Sequence, residues 1–331
     1  MSYSDYPNGI TSFGIPVLGG SIPSMIGGNI WFVDPASGND ADTGKSMVHA
    51  FATLGAAHTA ATSNNNDLVL VNGTSSTVDE PLMVTWSKSR IHVVGLGPFG
   101  QTNMYPRVVL SVAAADAAAT LKVTGTGNTF TNIRLENSGT HTNSVTCLWD
   151  AGENTVYTNC QFSKFTDLNV AAVSDVEARG DGTTWKQCKF GFDTLVQSAA
   201  RPTLSIKGTG ASARMKNNYF EDCYFVCASS ESDKAFILID STSSLAFSNV
   251  LKNCIFMNAL VSSVSAAALD NAVDSVSGLV EGNILFVNPV CNCTNFCSTV
   301  TDQIAVAGPG MSLDGGSTAV GQTLGIAITP A

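Results

Sequence analysis

Residues 157–162 read Tyr-Thr-Asn-Cys-Gln-Phe, and their pattern returns as Trp185-x-x-Cys188-x-Phe190, Phe220-x-x-Cys223-x-Phe225 and Leu251-x-x-Cys254-x-Phe256. Degenerate copies flank these: Phe130-x-x-Ile133-x-Leu135 before and Val280-x-x-Asn283-x-Leu285 after. From Ile133 to Asn283 the spacings are 27, 28, 35, 31 and 29 residues. A period of this length marks a stacked-repeat architecture.

Within each copy the Cys and Phe lie two apart, which puts them on one face of an extended strand. The residue before the Cys is Asn132, Asn159, Gln187, Asp222 or Asn253. It faces the other way, or it occupies a turn where its side chain bonds the rungs above and below. Further short apolar strands are expected at 120–123, 145–149, 203–206 and 235–239, joined by Gly/Ser/Thr/Asn-rich turns and with no helical pattern between them. Each period is therefore one coil of an all-β parallel solenoid. Coils stack at roughly 4.8 Å, so like residues fall on like and build interior ladders. A cysteine recurring at one inward position reads as a small buried hydrophobe. A zinc or iron–sulfur site would need close-set ligand pairs, and these cysteines are a coil apart.

The chain has 331 residues, enough for one large core, and only 13% are charged. A net charge of −10 and a pI near 4.7 argue against electrostatic binding to nucleic acid or to an anionic membrane. No apolar run approaches a membrane span, and no cationic-then-apolar leader opens the sequence. Nine cysteines, an odd number, point to synthesis in a reducing cytosol.

Residues 1–28 are rich in Gly, Pro and Ser with scattered large apolar residues and read as an extended docking arm. The β-helix is expected over 29–290. A strand at 30–34 leads to a loop in which Asp40, Asp42 and Gly44 faintly suggest calcium; the later ligands are missing, and turn chemistry is sufficient. Residues 48–62 are the one good helix candidate, with Phe51, Leu54 and Ala57 or His58 on one stripe, placed to close the open end of the solenoid. His49 and His58 read as cap-surface residues. Strands are expected at 67–71, 82–86, 90–94 and 107–112. Residues 291–331 read as a C-terminal cap or extension. Within them Cys291-x-Cys293-x-x-x-Cys297 lacks a fourth ligand and a nearby histidine, so a local disulfide or packed thiols is preferred to a metal.

The best acidic cluster is Asp175, Glu177 and Asp181, with Asp150 or Glu153 one coil earlier. On a strand Asp175 and Glu177 share a face. Paired carboxylates across a groove would suit glycoside hydrolysis, but a solvated β-helix face accounts for them. Trp149 and Trp185 stand at periodic positions and read as core. No catalytic, cofactor-binding or metal-binding residue is assigned, no cofactor is implied, and the chain is expected not to be an enzyme.

Three segments carry a resemblance. WFVDPASGNDADTGKS (31–46), HAFATLGAA (49–57) and NDLVLVNG (66–73) are similar to the opening strand, cap helix and first coil of pectate-lyase-like right-handed parallel β-helix proteins, with Asn66 where those have glycine. The resemblance implies the fold, which hosts lyases, hydrolases, tailspikes and scaffolds. The family's Asp–His signature is absent. Tyr6-Pro7-Asn8-Gly9-Ile10 and Gly14-Ile15-Pro16-Val17-Leu18 resemble the arms of β-helix proteins in tailed-bacteriophage particles. That implies a structural virion protein, a head decoration or cement protein located in the virion, commonly a homotrimer with the major capsid protein as partner. The alternative is a tailspike or receptor-binding β-helix that binds or cleaves host surface polysaccharide.

Overall fold

The repeated phrase is a corner, not a single strand. In the computed structural model Tyr157 lies on the strand Val156–Thr158 and Phe162 on the strand Gln161–Ser163, and the chain turns between them at Asn159. Asn159 has φ 53°, and the equivalent residues agree: Asn132 56°, Gln187 51°, Asp222 54°, Asn253 54° and Asn288 49°. Left-handed backbone is tolerated best by glycine and then by Asn and Asp, which is why the residue before each cysteine is polar. A second corner lies five residues earlier in each coil, at Gly127, Asn154, Gly182, Asn217 and Ser248, with φ between 51° and 69°. Beside it buried asparagines bond from coil to coil: Asn218 Oδ1 accepts from the Thr183 N–H (3.1 Å) and Asn249 Oδ1 from the Asn218 N–H (3.2 Å).

The structure describes residues 28–73, 76–97, 108–166, 173–198, 201–208, 215–231, 234–240, 245–260, 271–275, 282–293, 295–297 and 304–307, with the backbone of 11–12 and 15–16. Among these, three sheets of wholly parallel pairing wind into a right-handed parallel β-helix. The first has ten strands, from Ile30–Val33 to Ile304–Ala307. The second has eight, from Val78–Glu80 to Val290–Cys291, and the third has eight, from Val84–Trp86 to Asn295–Cys297. No helix among the described residues is long and apolar enough to cross a membrane.

Register stacks the repeats as the sequence implied. Phe130, Tyr157, Trp185, Phe220 and Leu251 align in the first sheet, with ring centroids 5.3, 4.2 and 5.6 Å apart along the four aromatics. Leu135, Phe162, Phe190, Phe225 and Phe256 align in the second. Cys160, Cys188, Cys223 and Cys254 are fully buried and free. The Cys188 and Cys223 thiols donate to the Tyr157 and Trp185 carbonyls of the preceding coil, at 3.5 and 3.4 Å. Burial raises both well above the ordinary thiol range, leaving them inert as nucleophiles.

Four expectations change. The copy after Cys254 is Phe286-x-x-Pro289-x-Cys291, because Leu251 pairs with Phe286 and Phe256 with Cys291; Val280-x-x-Asn283-x-Leu285 is out of register. Stacking continues past residue 290, since Ile304–Ala307 pairs with Ile284–Val287. The arm at 1–28 and the end of 291–331 lie almost wholly outside the described residues. The cap helix is only Leu54–Ala60, after a 3₁₀ turn at Met47–His49. Phe51 bridges to Val33 instead of joining the helix. Two carboxylates set where it begins: Asp40 accepts from the Ala52 and Thr53 N–H groups (2.8 and 2.9 Å), and Glu80 accepts from Leu54 (2.6 Å). Asp40 thus serves turn and cap chemistry. Finally, His58 is buried against Trp86, with ring centroids 4.7 Å apart, while His49 is exposed. Burial and the Lys88 charge hold His58 near a pKa of about 4.

Candidate functional site

The acids expected to line one groove are dispersed. Asp150 points into the solenoid from the strand Leu148–Asp150 and accepts from the Tyr157 hydroxyl (3.1 Å) and the Thr183 hydroxyl (3.0 Å). Burial pushes its pKa up to about 7 against those bonds. Asp175 is buried at the corner before the strand Val176–Ala178, where it accepts the Lys164 backbone N–H at 2.6 Å. Burial raises it to about 6, opposed by the nearby Arg201 charge. Asp175 and Glu177 therefore form no shared acidic surface. Asp181 is paired with Lys216 at 2.8 Å, and Glu153 is exposed one coil below, bridged to Asp181 through the backbone.

What stands on the outer face of the third sheet is a tryptophan among cations. Lys122, Trp149, Glu177 and Ser205 occupy one row of paired residues. Strand alternation turns them away from the core that Leu148, Val176 and Leu204 fill, with Lys122 and Trp149 partly exposed and Glu177 and Ser205 covered. Trp149 is only partly buried, contrary to the expectation of a core residue. Its ring carries the Lys122 ammonium 4.2 Å and the Arg179 guanidinium 4.6 Å from its centroid. Arg179 Nε donates to Glu177 at 2.7 Å, and Lys207 meets the other Glu177 oxygen at 3.1 Å. Around Trp149 three cations thus face the single carboxylate of Glu177, on a chain whose net charge is −10. The Trp149 indole N–H has no acceptor among the described residues.

The alternation Leu148-Trp149-Asp150 carried the signal for this face. It was obscured because the corner just before it buries Thr146, Cys147 and Leu148 in succession. Counting by twos from Cys147 puts Trp149 inside; counting from Leu148 puts it outside. Lys122, Arg179 and Lys207 lie on three different coils, so nothing in their spacing joins them.

A cleft of ≈ 420 Å³ lies at the other end, between the cap helix and residues 80–85, lined by Asp40, His58, Glu80 and Leu82 among others. Burial raises Glu80 to about 7 despite the N–H groups of Leu54 and Gly55. Its acids are committed to the helix start, which makes it a structural seam. Among the described residues no three His, Cys, Asp or Glu side chains converge to hold a metal.

No family model matches the sequence, and no curated protein matches it. Solved structures do match in fold. A pectate lyase, Pel9A, is 16% identical with a TM-score of 0.55 over 91% of this chain and 74% of its own. A rhamnogalacturonan lyase is 13% identical with a TM-score of 0.54, over 85% and 74%. The expectation of a non-enzyme is corrected here: both are lyases, so the fold gives no ground for reading the chain as an inert scaffold. At these identities the likeness carries the architecture and no residue role, and by architecture the chain is a right-handed parallel β-helix.

Proposed function

We propose that the protein is a polysaccharide-active β-helix that engages an acidic glycan along the outer face of its third sheet. The observation that carries this reading is the Trp149 cluster: an outward aromatic ring contacted by Lys122 and Arg179, with Lys207 alongside. An aromatic face suits the apolar side of a sugar ring, and the surplus of cations suits its carboxylate. The fold it shares with a pectate lyase and a rhamnogalacturonan lyase supports the same reading.

The face favours elimination over hydrolysis. Hydrolysis by paired acids needs two carboxylates flanking the scissile bond, whereas Asp150, Asp175 and Glu177 are all buried, the last held by Arg179 and Lys207. Lys122 and Arg179 placed on a uronate carboxylate would stabilise the charge that develops as the carbon beside it gives its proton to a solvent base, a C=C bond forms, and the glycosidic oxygen on the next carbon leaves and takes a proton from water. Attachment to a particle or partner subunit is assigned to the terminal arms. The virion location, the capsid partner and the homotrimer rest on the resemblance of the N-terminal arm alone.

The test is affinity electrophoresis in gels containing acidic or neutral polysaccharide, with a parallel assay for unsaturated and for reducing chain ends. Retardation by the acidic glycan, lost in Trp149→Ala and weakened in Lys122→Ala, is expected, with unsaturated ends as product. Absence of retardation by any acidic glycan, or unchanged retardation of Trp149→Ala, refutes the assignment.

A further inference from the structure

The second sheet ends on a different kind of cysteine. By register Cys291 follows Phe162, Phe190, Phe225 and Phe256, so a thiol stands where the four preceding coils place an aromatic ring. Cys293 lies two residues on. Both are free, partly buried and packed against the end of the core. The residue between them is pinned: the Asn292 N–H donates to the Phe256 carbonyl (3.2 Å), its amide to the Asn258 carbonyl (2.9 Å), and its Oδ1 accepts from the Asn258 N–H (2.9 Å). Asn292 is exposed, while the thiols on either side of it both pack against the core. The proximity of the two thiols lowers the pKa of Cys291 and raises that of Cys293.

We propose that Cys291 and Cys293 are a redox-active dithiol that closes to an intramolecular disulfide by exchange with a low-molecular-weight disulfide of the glutathione class. The Cys291 thiolate attacks one sulfur of the small disulfide; that S–S bond breaks, one small thiolate leaves, and a mixed disulfide remains on Cys291. Cys293 then gives its proton to the departing thiolate and attacks the Cys291 sulfur, releasing the second small thiolate. Two protein thiols are oxidised to one disulfide, and one small disulfide is reduced to two thiols. The new bond ties the last rung of the second sheet to the corner that follows it.

The experiment incubates the full chain with glutathione disulfide, quenches with acid and maps the cysteine peptides by mass spectrometry. Separately, a maleimide labels the native reduced protein over time. A Cys291–Cys293 disulfide reversed by dithiothreitol is expected, with Cys160, Cys188, Cys223 and Cys254 still reduced. Cys291 should label at least about a hundredfold faster than those four, and Cys293→Ser should retain glutathione on Cys291. The proposal is overturned if Cys291 labels as slowly as the buried four. It is also overturned if the native protein keeps the mixed disulfide, or if Cys297 replaces either partner. The wild-type readings need no variant to fold.

Discussion

Trp149 and Trp185 are the middle residues of three-residue strands one coil apart in sequence, yet they have opposite fates. Trp185 is sealed between Tyr157 and Phe220, its ring centroid 4.2 and 5.6 Å from theirs. Trp149 stands on the surface beneath two cations. The difference lies in phase. Trp185 enters its strand from the glycine corner at Gly182, with Thr184 and Lys186 turned away from the core. Trp149 follows Leu148, which already occupies the inward position. In a solenoid each corner resets the alternation, so residue type does not decide the side a residue takes.

That contrast can be broken by substitution, ordered here by effect on stability. Trp185→Ala removes a ring from the middle of the aromatic ladder and should cost about 3–5 kcal/mol in chemical denaturation, with glycan retardation of the folded fraction unchanged. A wild-type-like stability would mean the stack is not the core.

Asp150→Asn sharpens the same boundary from inside. Asp150 is raised to about 7 by burial, so its folded pKa lies above its unfolded one. Its contribution is fully present below the ordinary aspartate range, near 4, and is lost as pH rises through about 7. Denaturation at stepped pH should show the wild type losing stability across that window relative to Asp150→Asn. Parallel curves for the two proteins would show that Asp150 does not titrate as a buried acid.

Cys188→Ala should cost about 1–2 kcal/mol through lost packing, read as a lower thermal midpoint, with no change in glycan retardation. A functional loss at unchanged stability would make the ladder cysteines chemical. At the far end of the scale, Trp149→Ala should change stability by about 1 kcal/mol or less while weakening acidic-glycan retardation about tenfold or more. A large loss of stability with retained binding would return Trp149 to the core.

Much of the fold was legible in the chain. The Cys-x-Phe period placed the coils from Ile133 to Phe256, and of the two readings open for the polar residue before each cysteine the φ values select the turn. The period failed at its end, where Cys291 replaces the phenylalanine and Pro289 the cysteine, so a false copy at Asn283 looked as good. The helix was overestimated because its stripe includes Phe51, which pairs with Val33. The candidate site was the least legible part. Glu177 was singled out with the wrong companion: Asp175, two residues before it, bonds the Lys164 backbone at a corner, while Arg179 and, from a coil away, Lys207 are the residues that meet Glu177.

The sequence alone determined the solenoid, because stacking like on like turns a periodic chain into continuous interior ladders, and a period survives substitution at single positions. It also determined that the ladder cysteines pack, since one inward position repeats. Only the tertiary structure decided which residues leave the ladder. Corners displace the alternation by amounts that depend on left-handed turns. Outward neighbours such as Lys122, Trp149 and Glu177 come from successive coils whose loops differ in length, so their meeting is written in the register between coils and in no local stretch of the chain.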